Sequence, residues 1–96
     1  MLYLARITIH NGTIQDYDVL HKRMQALGFN RYITADNGTH YWLPDATYVG
    51  ARNESITAVQ QLVAREAKAA APNRGEPQVF VCERSKSMWT GLSIAK

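Results

Sequence analysis

Gly28-Phe29-Asn30-Arg31-Tyr32-Ile33-Thr34-Ala35-Asp36-Asn37-Gly38-Thr39-His40-Tyr41-Trp42-Leu43-Pro44 is the stretch that decides the fold. Its centre, Asp36-Asn37-Gly38-Thr39, is a tight-turn signal, because Asn and Gly both tolerate positive φ. Phe29 to Ala35 before it and His40 to Leu43 after it carry aromatic and β-branched residues, so the stretch predicts a β-hairpin. Pro44 lacks the N–H that a ladder needs and marks a bulge or an edge, with Ala46 to Gly50 continuing the strand beyond it.

Upstream, Ile14, Tyr17, Leu20, Met24 and Leu27 recur at spacings of three and four, which predicts a helix from Ile14 to Leu27. Thr13 is its N-cap, Asp16 sits in the first turn where the helix dipole favours an acid, and Gly28 ends it at C′. Leu2 to Ile9 reads as a first strand. Tyr3, Ala5, Ile7 and Ile9 face one way and Leu2, Leu4, Arg6 and Thr8 the other. Downstream, Ile56, Val59, Leu62, Val63, Ala67 and Ala70 form the stripe of a second helix from Glu54 to Ala71. A loop from Pro72 to Pro77, a strand from Gln78 to Glu83, a polar turn Arg84-Ser85-Lys86-Ser87 and a last strand from Trp89 to Ile94 follow. The order predicts an α+β fold: a ferredoxin-like split β-α-β with an antiparallel sheet of four to five strands and two helices on one face. Residues 1–96 form a single domain.

The totals agree. With 96 residues there is room for one core, and a chain this size buries only roughly two-thirds of its unfolded surface. A hydrophobic fraction of 46% excludes wholesale disorder. The net charge of +3 permits a nucleic-acid partner without demanding one. Cys82 is the one cysteine, so no internal disulfide forms, and it reads as a small apolar strand residue. No run approaches the roughly 18 apolar residues that span a membrane, and Arg6 interrupts the N-terminal apolar run too early for a signal peptide. The expectation is a cytoplasmic protein with no membrane partner, and the Asn-x-Ser/Thr triplets at Asn11, Asn37 and Asn53 are chance.

There is no Gly-rich phosphate loop, HExxH, paired CxxC or Gly-x-Ser-x-Gly, and neither a cofactor nor a metal site is predicted. His10, His21 and His40 lie at unrelated spacings. Asp16 and Asp18 point about 200° apart on a helix, which suits a solvated turn better than a ligand pair. One constellation carries chemistry. Arg6, Arg31, Tyr32, His40 and Trp42 fall on strands that the split arrangement makes neighbours. A sheet face bearing Arg, Tyr, His and Trp contacts phosphates and stacks bases. The same pattern fits an ordinary half-exposed face or a dimer interface. Arg31 shares parity with Phe29 and Ile33, so either Phe29 precedes the strand proper, or Arg31 is held deep, or a bulge intervenes. His21, beside the apolar stripe of the first helix, reads first as structural.

The series Tyr17-x-x-Leu20-His21-x-x-Met24, then Gly28-Phe29-x-Arg31, then Asp36-x-Gly38-x-x-Tyr41-x-Leu43-Pro44-x-Ala46-x-Tyr48 resembles the GhoS-like endoribonuclease antitoxins of type V toxin–antitoxin systems. The resemblance covers roughly residues 1 to 50, and the rest follows by element order. It implies a fold similar to the small CRISPR-associated ribonucleases and cleavage of a toxin messenger RNA. It also implies that Arg31 holds a phosphate and stabilises its charge during cleavage. Those relatives carry an aspartate near the end of the first strand for a divalent metal, whereas this chain has Ile9-His10-Asn11-Gly12 there. A metal-free route needs a general base for the ribose 2′-hydroxyl, and His10 and His40 are the candidates.

The expectation is an endoribonuclease-type antitoxin that binds and cuts toxin mRNA, with Arg31, His10 and His40 catalytic. Arg6, Tyr32, Trp42, Arg84 and Lys86 would bind the RNA. The alternative is a non-catalytic RNA- or protein-binding dimeric module of a mobile element. A homodimer through the strand Trp89 to Ile94 fits either, because exposed edges readily pair.

Overall fold

The computed structural model describes residues 1–95. In chain order its elements are β1 (Leu2–Thr8), α1 (Ile14–Ala26), β2 (Phe29–Asn30), β3 (Tyr32–Thr34), β4 (His40–Trp42), β5 (Thr47–Ala51), α2 (Ile56–Ala70), a single 3-10 turn at Pro72–Arg74, and β6 (Gln78–Glu83). A four-stranded antiparallel sheet runs β2-β5-β1-β6, and β3 pairs with β4 in a separate two-stranded sheet. This is the α+β, split β-α-β arrangement that the element order predicts. No helix among the described residues is long and apolar enough to cross a membrane.

The period-two pattern of β1 sets the layers. Tyr3, Ala5 and Ile7 are buried against Leu20 and Met24 of α1 and Val59, Val63 and Ala67 of α2. Phe29 and Tyr48 extend the same buried face across β2 and β5, and Val79 and Val81 extend it across β6. Truncating one of these, such as Leu20, removes roughly 2–5 kcal/mol. The helices begin where their caps dictate. Thr13 accepts from the Asp16 N–H while the Asp16 carboxylate accepts from the Thr13 N–H, a full capping box. Ser55 caps α2 through the Ala58 N–H. Gly28 takes φ 88° just beyond α1, the left-handed turn that ends it.

Three expectations are corrected. The strand expected from Phe29 to Ala35 breaks at Arg31. Its first two residues pair with β5 in the main sheet, and Tyr32–Thr34 leaves with β4. The break resolves the parity conflict, since Phe29 and Ile33 are buried in different places and Arg31 between them is exposed. The last strand, expected over Trp89 to Ile94, is a single bridge from Ile94 to Tyr41. The Trp42 N–H donates to the Ser93 carbonyl at 2.9 Å and the Ala95 N–H to the His40 carbonyl at 2.8 Å. The segment's pairing therefore lies within the chain, on the small sheet. Ile14, counted in the apolar stripe of α1, is 83% exposed and lies in the lining of a surface cleft, outside the core.

Candidate functional site

A cleft of about 510 Å³ opens where the end of β1, the first two turns of α1 and the Asp45-Ala46 turn converge. Among the residues lining it are Arg6, Arg31, Asp18, Asp45, Tyr17 and His21. The backbone explains the assembly. Phe29 pairs with Gly50 and Asn30 with Val49, so the next step of that ladder sets Arg31 beside Tyr48. The Arg31 carbonyl then accepts from the Leu43 N–H at 2.8 Å, which pins the turn between the two sheets. Ala46 adopts φ 56°, and its carbonyl accepts from the Ile7 N–H at 3.1 Å, so the loop after Pro44 folds down onto β1. Asp18 and His21 are three apart on α1 and share one face.

Gly12 and Tyr17 form one wall. The Tyr17 hydroxyl accepts from the Ile9 N–H at 2.9 Å. A Cβ on Gly12 would lie 2.8 Å from a Tyr17 ring carbon and 2.9 Å from the Ile9 Cβ, so only glycine fits there. Deeper in, His21 Nδ1 and the Tyr48 hydroxyl are 2.6 Å apart. Burial, and then the nearby Arg31 guanidinium, push the His21 pKa below its ordinary value, while Asp18 and Asp45 pull weakly the other way. Burial pushes the Tyr48 phenol well above its ordinary range. Both rings are therefore uncharged at neutral pH.

The charges in the cleft are uncommitted. Among the described residues Arg23 pairs with Glu66, Arg52 with Glu54, Arg74 with Asp16 and Lys68 with Glu76. Arg6, Arg31, Asp18 and Asp45 enter no such pair. Arg31 instead lies over the Trp42 ring, its guanidinium carbon 5.4 Å from the ring centroid. Trp42 is 41% exposed, so the guanidinium is steered without being sealed off.

The remaining expected site residues gather elsewhere. A second, shallower hollow of about 1010 Å³ on the helix-free side of the sheet includes Asn30, Tyr32, His40, Arg84, Lys86 and Trp89 in its lining. The Tyr32 and His40 rings meet tilted at 55°, their centroids 4.6 Å apart, and His40 Nδ1 lies 2.7 Å from the Thr34 hydroxyl. Arg84 Nε is buried there with no hydrogen-bond partner among the described residues, although Nη1 reaches the Ser87 hydroxyl at 3.4 Å. Consecutive residues thus serve different hollows, Arg31 one and Asn30 and Tyr32 the other. His10 sits exposed in the turn after β1 and lines neither. No group of three or more His, Cys, Asp or Glu among the described residues is arranged to hold a metal ion.

Sequence reasoning missed Asp18, Asp45 and the partnership of His21 with Tyr48. The period of α1 does place Asp18 and His21 on one flank. The left-handed turn at Ala46, which brings Asp45 in, has no signal in its own residue type. Compared with protein-family models, with curated proteins and with solved structures, the chain matches none.

Proposed function

We propose that this chain binds single-stranded RNA and cuts it as an endoribonuclease of the antitoxin type, its substrate a toxin messenger. The observation that carries the reading is that Arg6 and Arg31, neither of them in an ion pair among the described residues, both line one cleft beside an uncharged histidine. Two such groups hold a phosphodiester and offset the charge that builds on it as a bond to phosphorus forms. The substrate itself supplies the nucleophile. The ribose O2′ attacks phosphorus, the P–O5′ bond breaks, and the electron pair leaves on O5′, which takes a proton from solvent. The 2′-hydroxyl proton passes to Asp18 or Asp45, the carboxylates of the same cleft. The products are a 2′,3′-cyclic phosphate and a 5′-hydroxyl end.

A second reading is favoured by the other hollow. The tilted Tyr32–His40 pair with Arg84 and Lys86 is suited to holding bases and phosphates without cutting. A non-catalytic RNA-binding module would use this hollow alone. The test is an end-labelled mixed RNA pool incubated with the purified chain, with EDTA and with Mg²⁺, beside Arg31→Ala. Cutting in both lanes that disappears in Arg31→Ala, and leaves cyclic phosphate ends, is the expected result. RNA that is bound and stays whole would establish the holding module instead.

A further inference from the structure

We infer that His21 serves the cleft as an uncharged Nε2–H donor to an oxygen of a bound phosphate, its tautomer fixed by Tyr48. The inference rests on the cleft being a phosphate site and deepens that reading: it assigns His21 to recognition of the anion and takes it out of proton abstraction.

The Tyr48 hydroxyl fixes which ring nitrogen of His21 carries the proton. Tyr48 is wholly buried, and among the described residues its hydroxyl has one hydrogen-bond partner, His21 Nδ1 at 2.6 Å. A phenol carries one hydrogen. If Nδ1 held the ring proton it would donate to Tyr48, and the phenolic hydrogen would be left buried with no acceptor, which folded proteins avoid. If Tyr48 donates, Nδ1 is the acceptor and the one proton of the neutral ring resides on Nε2. That nitrogen makes no hydrogen bond among the described residues, and His21 is one of the residues that line the cleft. The groups around the ring keep it neutral. Arg31 opposes a positive charge there and burial opposes it more, against the weaker pull of Asp18 and Asp45, while the Tyr17 ring lies 6.5 Å away. The cleft thus offers an anion the Arg31 guanidinium and one directional neutral N–H, with Arg6 also in its lining. A base at Nε2 would need the other tautomer, which leaves proton abstraction to the carboxylates.

The test uses the full chain labelled with ¹⁵N at histidine and long-range ¹H–¹⁵N spectra. Inorganic phosphate and a short single-stranded oligoribonucleotide are the probes. The free protein should show a bare Nδ1 and a protonated Nε2 at His21, and both probes should move the Nε2–H signal and leave Nδ1 bare. His21→Ala should weaken oligonucleotide binding about tenfold, the loss of one hydrogen bond to a charged group. His21→Gln, whose amide keeps an N–H donor, should recover most of that. Binding should stay level from about pH 7 to 8.5, because a neutral donor does not titrate there. A proton on Nδ1 with Nε2 bare, equal losses for Ala and Gln, or binding that fades as His21 deprotonates would each overturn the inference. The two claims separate cleanly. RNA binding that leaves the His21 signals unmoved sinks the donor role and keeps the RNA site. Phosphate that shifts Nε2–H where RNA does not bind keeps the donor and sinks the RNA site.

Discussion

Replacing Tyr48 by Phe removes one hydroxyl from His21 and leaves the ring in the core. The expected loss is about 1 kcal/mol, the net worth of a single hydrogen bond, and a denaturant midpoint measures it. His21 itself ties stability to pH. Its pKa is lowered in the folded chain by burial and by Arg31, so the unfolded chain takes up the proton first as pH falls. The stability contributed by the neutral ring is therefore full above about pH 6.5 and is lost as pH falls through the lower folded value. Urea midpoints followed from pH 7.5 to 5 should decline more steeply for the natural chain than for His21→Gln, and parallel curves would contradict the assignment. Gly12→Ala should cost about 1–3 kcal/mol, because the new methyl meets Tyr17 and Ile9 at under 3 Å. At this scale the sequence was partly legible. Arg31 stands in a recognisable run, and Thr13, Asp16 and Gly28 announce the ends of a helix. His21 did not declare itself, because its partner Tyr48 is distant in sequence and only the pairing of β2 with β5 brings Arg31 beside both.

At the scale of elements, the hairpin is where expectation and structure part. Hydrophobic alternation predicts one continuous strand from Phe29 to Ala35, and alternation is blind to a bend that preserves it. Arg31 makes that bend, so its side chain keeps the parity of Phe29 and still reaches the rim. The C-terminal strand was misread for a related reason. Trp89 to Ile94 has strand-like composition, yet among the described residues only Ser93 to Ala95 pair with β4 through the backbone, while Trp89 meets it by its side chain, packed on Tyr41 with the rings 5.6 Å apart. Deleting residues 89–96 should leave the Trp42 amide exposed and fast-exchanging while Val49 in the main sheet stays protected, as hydrogen exchange would show. Gly50→Ala should destabilise by about 2 kcal/mol or more, since its Cβ would sit 2.5 Å from the Gly28 carbonyl oxygen, where backbone cannot give way.

For the whole molecule, the helices cover one face of the sheet and the small sheet and C-terminal arm lean over part of the other. The cationic residues are divided, Arg6 and Arg31 lining the cleft and Arg84 and Lys86 the broader hollow. The fold class was legible because it needs only element order and two amphipathic helices. The division of the basic residues was not, because it depends on which consecutive residues pass to which side of the Arg31 bend. Binding of RNA phosphates at Arg6 and Arg31 is the proposal on which the rest depends. It is tested most directly by measuring single-stranded RNA affinity over a range of salt concentrations for the natural chain, Arg6→Ala, Arg31→Ala and Arg84→Ala. Arg6→Ala and Arg31→Ala should each weaken binding and flatten the salt slope by about one, the signature of a lost phosphate contact. Slopes unchanged in both, with binding lost only in Arg84→Ala, would move the RNA to the other hollow and contradict the claim.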